Sequence, residues 1–284
     1  MGEIKPEIYL VGSFYGFRDK LIEALPEYPL RDPRNHRQSC IAKLVIDDMN
    51  AAENCPVLLA VFPKNKDRGT ATYAEIGASY AHGNYIIIVD EEDGHKKEDV
   101  LLRKVADKYF TDSEKAINFL NNGFELTNKP KKKIKSKYPV NSQGIIPVKK
   151  VYFCGEISGE LSDIIDELSE KQPRKEFIKK SEDTHEDFKK IATYDLIVAN
   201  FPKNKWWDRH AFFMIGGAYA HDISVLSVEN KKLRYPPLQA LVRRSTNSIQ
   251  NMKKYLEEVN DLNVNKEASF MYDAFKREIN YNSK

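Results

Sequence analysis

Short apolar runs alternate with segments of helical periodicity along the chain, and the series occurs twice. Ile8–Val11, Val57–Phe62 and Tyr85–Val89 are rich in β-branched and aromatic residues and too short for core helices; Val151–Cys154, Leu196–Phe201 and Ser224–Val228 repeat the pattern. Runs that are apolar on both faces predict strands of a sheet covered on both sides. A helix is predicted from an N-cap at Ser39 through Asn54, with Ile41, Leu44, Val45, Asp48 and Ala52 along one face. Strand and helix in alternation predict an α/β chain built from two doubly wound, Rossmann-like parallel-sheet domains.

The duplication is also visible residue by residue. FPKNK stands at Phe62–Lys66 and again at Phe201–Lys205, an offset of 139 (201 less 62). Without a gap the same offset pairs Ile76-Gly77 with Ile215-Gly216, Tyr80-Ala81-His82 with Tyr219-Ala220-His221, and Asp48 with Asp187. Upstream, Ile8–Gly12 matches Val151–Gly155 at an offset of 143, so the second copy has lost four residues in between. Residues 1–127 form the first domain, 128–148 a linker and 149–284 the second. Asn128–Pro139 holds six lysines and two prolines and reads as a solvated, extended tether. A basic arm for phosphate or nucleic acid is the other reading of that stretch.

At 284 residues each half is long enough to bury a core of its own. Lys and Arg total 45 against 42 Asp and Glu, a formal charge of +3, which excludes the dense positive field of a protein that grips polymeric nucleic acid. Three cysteines without CxxC spacing read as buried thiols in a reducing compartment, hence a cytoplasmic protein. No apolar stretch approaches a membrane span, so no membrane partner is expected. The six histidines show no metal-ligand spacing and no metal or cofactor is expected. His82 and His221, at equivalent helix ends, suit the helix dipole.

In open parallel sheets ligands sit beyond the carboxyl ends of the strands. After the first strand come Gly12-Ser13-Phe14-Tyr15-Gly16, whose small residues let backbone approach a ligand, but the GxGxxG spacing of a dinucleotide site is missing. After Phe62 comes a polar segment containing Asp67, Gly69 and Thr70, where Thr70 or Thr72 is expected to cap the next helix. Glu75 then falls in or near the first helical turn. It is either a dipole-stabilising glutamate or a reactive group facing the crevice. Asp48, on an otherwise apolar helix face, is either satisfied locally or functional. Two carboxylates converging on one crevice are what glycosidic bond cleavage needs. Arg34, His36 and Arg37, in Arg31–Arg37, are either a surface loop or a 5′-phosphate site.

At these residues the chain resembles the nucleoside 2-deoxyribosyltransferase family, over about Ile8 to Val89. Such proteins open with a strand of the type Ile-Tyr-Leu-x-Gly, as Ile8–Gly12. They continue with an aspartate shortly before an apolar strand, as Asp48, an Asp-x-Gly-Thr stretch, as Asp67–Thr70, and Glu-x-Gly-x-Ala, which Glu75–Ser79 approximates. The resemblance implies a flavodoxin-like fold and transfer of a deoxyribosyl group from a nucleoside to a free base; related N-glycosidases hydrolyse nucleoside monophosphates instead, and a silent nucleotide sensor is a third reading. It implies Glu75 as nucleophile, Asp48 as the group that holds or protonates the base, Tyr9 as the group that orients Glu75, and Asp67 as a sugar ligand, with Gly12, Ser13, Phe14, Gly69 and Thr70 lining the substrate. The chain departs from the family pattern in the longer spacing between Asp67 and Glu75, and in Pro56, where the family has an aspartate that survives as Asp195 in the second copy.

The second copy has Met214 at the place of Glu75, Trp206 at Asp67 and Asp208-Arg209 at Gly69-Thr70, while keeping Tyr152, Gly155 and Asp187. It is expected to be inactive and to stand in for a partner subunit within a pseudo-dimer, with further homo-oligomerisation left open. FPKNK reads as a polar turn after a buried strand. Trp206-Trp207 either stack on a base or pack against the first copy.

Overall fold

The computed structural model describes residues 5–12, 17–36, 41–91, 99–126, 145–201, 208–229 and 236–263. The first copy runs β1 (Ile8–Gly12), α1 (Phe17–Ala24), β2 (Leu30–Arg31), α2 (Ile41–Asn54), β3 (Val57–Phe62), α3 (Thr70–His82), β4 (Tyr85–Asp90), α4 (Val100–Val105), β5 (Lys108–Phe110) and α5 (Ser113–Asn121). After β6 (Ile145–Pro147), the second copy runs β7 (Lys150–Gly155), α6 (Gly159–Lys171), β8 (Glu176–Lys179), α7 (Thr184–Lys189), β9 (Leu196–Phe201), α8 (Arg209–Ala220), β10 (Ser224–Glu229), α9 (Pro236–Leu241), β11 (Arg244–Thr246), α10 (Ile249–Glu258) and β12 (Asp261–Asn263).

Each copy is a five-stranded parallel sheet, in the orders β2-β1-β3-β4-β5 and β8-β7-β9-β10-β11. The two orders are the same order. The chain is therefore α/β, with two doubly wound domains. Gly12 ends β1 at φ 108° and a Cβ there would lie 2.0 Å from the Val61 carbonyl oxygen; Gly155 ends β7 in the same way against Asn200. Only glycine lets these strand ends lie so close to the neighbouring strand in the left-handed region.

Alternate residues of each strand serve different layers. In the first sheet Ile8, Leu10, Val57 and Leu59 pack under Leu21 of α1, Leu25 just after it, and Ile117 and Leu120 of α5. The other face, with Tyr9, Val11, Leu58 and Ala60, meets Met49, Ala52, Tyr73 and Ile76 of α2 and α3. That layer is continuous with Tyr152, Ile197 and Ala199 of the second sheet through Phe212, Phe213 and Met214 of α8. The two copies share one central core, with α3 and α8 crossing at its middle.

Several expectations are corrected here. The helix α3 is capped by Gly69 and no side chain serves, so neither Thr70 nor Thr72 is its cap. Glu75 consequently lies in the second turn. Ile41, placed on the buried face of α2, is 42% exposed. Ser39 lies outside the described residues, as does 128–144 of the linker. Ile145–Pro147, within the segment read as linker, pairs antiparallel with β12, and Val148 is buried, so the end of that segment is built into the second domain. Among the described residues no helix is long and apolar enough to cross a membrane.

Candidate active site

Tyr9 points from the middle of β1, opposite Leu58 of β3, onto the layer that carries α2 and α3. Its hydroxyl donates a 2.6 Å hydrogen bond to Oε1 of Glu75, and both residues are buried. On the adjacent helix Asp48 accepts from or pairs with Nδ1 of His36 at 2.7 Å. The imidazole of His36 stacks on the Tyr9 ring, with planes 13° apart and centroids 6.2 Å apart. The structure thus brings Tyr9, Asp48 and Glu75 together from β1, α2 and α3, and adds His36.

The electrostatics follow from the enclosure. Burial, and next the charge of Asp48, push the Glu75 carboxyl up to about 8, against the opposing hydrogen bond from Tyr9 and the charge of Arg18. Asp48 is also raised by burial, with the His36 contact opposing. Tyr9 is raised well above its ordinary value, first by burial and then by the Glu75 and Asp48 charges.

Arg18 and Arg68 were not singled out by sequence reasoning; Arg18 acts on Glu75 through its charge, and Arg68 anchors the loop before α3. Arg18, at the start of α1, is buried, pairs with Asp32 at 3.0 Å and donates to the Gly12 carbonyl oxygen at 3.0 Å, fixing the end of β1. Arg68 turns inward to Asp90 at the end of β4, at 2.6 Å, where Asp90 also accepts from the Tyr109 hydroxyl. A hint for Asp90 was its place at the end of a wholly apolar strand, where a charge needs a partner.

The remaining expected residues are dispersed. Asp67 and Gly69 are exposed on the loop before α3, and Thr70 is buried at its first position. Arg34 pairs with Asp32 at 2.7 Å and Asp19 at 2.8 Å. His36 faces Asp48, so of the three groups considered for phosphate these two already have carboxylate partners. Ser13, Phe14, Arg37, Trp206 and Trp207 lie outside the described residues, together with Pro202–Lys205 of the second FPKNK.

The equivalent corner of the second copy is closed. Met214 is fully buried where Glu75 would be, and Asp187 accepts from the Tyr152 hydroxyl and the Ser181 amide, each at 2.8 Å. Tyr194 stacks on Tyr152 at 4.7 Å. The strand registers pair Tyr9 with Arg31 and Tyr152 with Ile178, an offset of 147 at the second strand, whereas Asp48 and Asp187 differ by 139. Eight residues are therefore missing between β8 and Asp187, the segment that carries His36 in the first copy. The four-residue loss is a net one: α6 and its flanks gained four. Asp195 holds the amides of Lys149 and Lys150, which gives this aspartate a structural task at the start of β7.

No family model matches the chain, and no curated protein matches it. Two solved structures, both described as two-component system response regulator/GGDEF domain proteins, align with 89% of this chain and with 97% and 98% of their own. They are 11% and 12% identical, at TM-scores of 0.27 and 0.26. Likenesses at that level carry no argument.

Proposed function

We propose that the chain cleaves the N-glycosidic bond of a 2′-deoxynucleoside and transfers the deoxyribosyl group to a second free base through a covalent intermediate on Glu75. The observation that carries this reading is the buried Glu75 carboxyl held by the Tyr9 hydroxyl next to the Asp48–His36 pair. Its motifs resemble those of the deoxyribosyltransferase family, and a flavodoxin-like strand order, with the crevice at the β1/β3 switch point, is consistent with them.

The Glu75 anion attacks C1′, the C1′–N bond breaks, and the base leaves with the electron pair. A proton held at the Asp48–His36 pair passes to the departing base. The nitrogen of the second base then attacks C1′ from the face the first one left, its proton returning to the Asp48–His36 pair, the bond to Glu75 breaks, and the carboxylate is restored with net retention. Tyr9 and Arg18 both favour the Glu75 anion. Arg34 is engaged by Asp19 and Asp32, which favours a nucleoside over its monophosphate as substrate. The second copy serves as an internal partner subunit.

The test incubates the protein with deoxyadenosine, with and without a second free base. New nucleoside supports transfer; free adenine alone moves the reading to hydrolysis; neither product, despite binding, moves it to a nucleotide sensor. Unchanged turnover by Glu75→Ala would remove the assigned nucleophile.

A further inference from the structure

We infer that Arg209, supplied by the copy that lacks a nucleophile, is a positioning residue for the loop that leads into Glu75. The part of this inference that concerns turnover rests on the function proposed above; the part that concerns the loop does not.

Arg209 is the first residue of α8 and occupies the repeat position of Thr70, 139 residues on. Its Nε donates to the carbonyl oxygen of Arg68 at 3.1 Å, across the boundary between the copies. The side chain of Arg68 runs the other way, with Nη2 and Nε on the two oxygens of Asp90 at 2.6 and 3.2 Å. Residue 68 is thus held by its carbonyl from the second copy and by its guanidinium from β4. Asp67 and Gly69 hang on either side of that double attachment. Gly69, as the N-cap of α3, contributes no side-chain cap, so the loop lacks the usual local anchor for a helix start. A guanidinium donor to a carbonyl is a charge-assisted bond, the stronger kind.

The arrangement works in one direction. Thr70, the counterpart of Arg209, has too short a side chain to reach across in return. Loss of the nucleophile from the second copy and gain of an arginine at the edge of α8 are therefore complementary: this copy contributes to the other's site without hosting chemistry.

The test uses the full chain and two variants. Arg209→Met keeps the apolar stem and removes every donor; Arg209→Lys returns one donor. Amide hydrogen exchange over residues 63–69 is expected to quicken about tenfold in R209M and to recover largely in R209K, with α3 and α8 unchanged. With deoxyadenosine and a second base, KM in R209M is expected to rise about tenfold while kcat stays within about twofold, again recovering in R209K. Unchanged exchange over 63–69 overturns the inference. So does faster exchange spread evenly through α3 and α8, which would mean that the copies separate as wholes. Absence of turnover in the wild-type chain would sink the proposed reaction and leave the exchange result to decide the loop.

Discussion

A Cβ added to Gly77 would lie 2.1 Å from the carbonyl oxygen of Phe213, and one added to Gly216 would lie 1.9 Å from that of Ala74. Helices α3 and α8 therefore touch backbone to backbone at the centre of the molecule. Neither obstacle is a side chain that can swing away, so Gly77→Ala or Gly216→Ala must push the two helices apart. Each is expected to cost about 3 kcal/mol, lowering Tm by roughly 6–12 °C. Gly159→Ala, where a Cβ meets nothing within 4 Å, is the control and should leave Tm unchanged or slightly higher. Thermal melts of the three variants check this.

The same interface decides what the first copy can do alone. Its face toward the second copy includes Tyr80, which packs on Phe188 and Phe213 and shares a 2.8 Å hydrogen bond with His185. Removing residues 128–284 uncovers that apolar layer. Residues 1–127 expressed alone should therefore self-associate through α3 or aggregate. Sedimentation velocity checks this, and a stable, fully active monomer would dismiss the pseudo-dimer.

The hydrogen bond from Tyr9 lowers the Glu75 carboxyl and the charge of Asp48 raises it. Two substitutions should thus move one titration in opposite directions. Tyr9→Phe removes the stabiliser of the anion, so the ascending limb of kcat/KM against pH, expected near 8 in the wild type, moves to higher pH. Asp48→Asn removes the repelling charge and moves it to lower pH. Both should slow turnover, Tyr9→Phe by about 10- to 100-fold. Profiles of kcat/KM report groups of the free enzyme and are the measurement that checks this.

The duplication, the strands and the convergence of Glu75 and Asp48 could be read from sequence because each depends on local pattern or on comparison between the copies: Met214 singles out Glu75 by contrast. Pairings between distant residues left no such trace. Nothing in a list of residues says that His36 turns toward Asp48 instead of a ligand, or that Arg68 reaches Asp90 across 22 positions. Thr70 and Thr72 are good caps by residue type, yet Gly69 takes the place, since the buried threonines are drawn into packing at the start of α3.

Stability should carry the mark of the same carboxyl. Glu75 titrates near 4.5 when unperturbed and near 8 in the fold, so the folded chain binds its proton more tightly than the unfolded one. The stability that the protonated group contributes is complete below pH 4.5 and is lost as pH rises to about 8, where the charge must sit in a buried site. Glu75→Gln keeps a neutral group of the same shape at every pH. It should match the wild type near pH 4.5 and be more stable by roughly 1–3 kcal/mol at pH 8. Denaturant melts of E75Q and wild type across that range check the sign. A difference that stayed flat with pH would mean that Glu75 is already ionised in the resting site. A rising one would mean that the fold gives up stability to hold this carboxyl where Tyr9 can aim it.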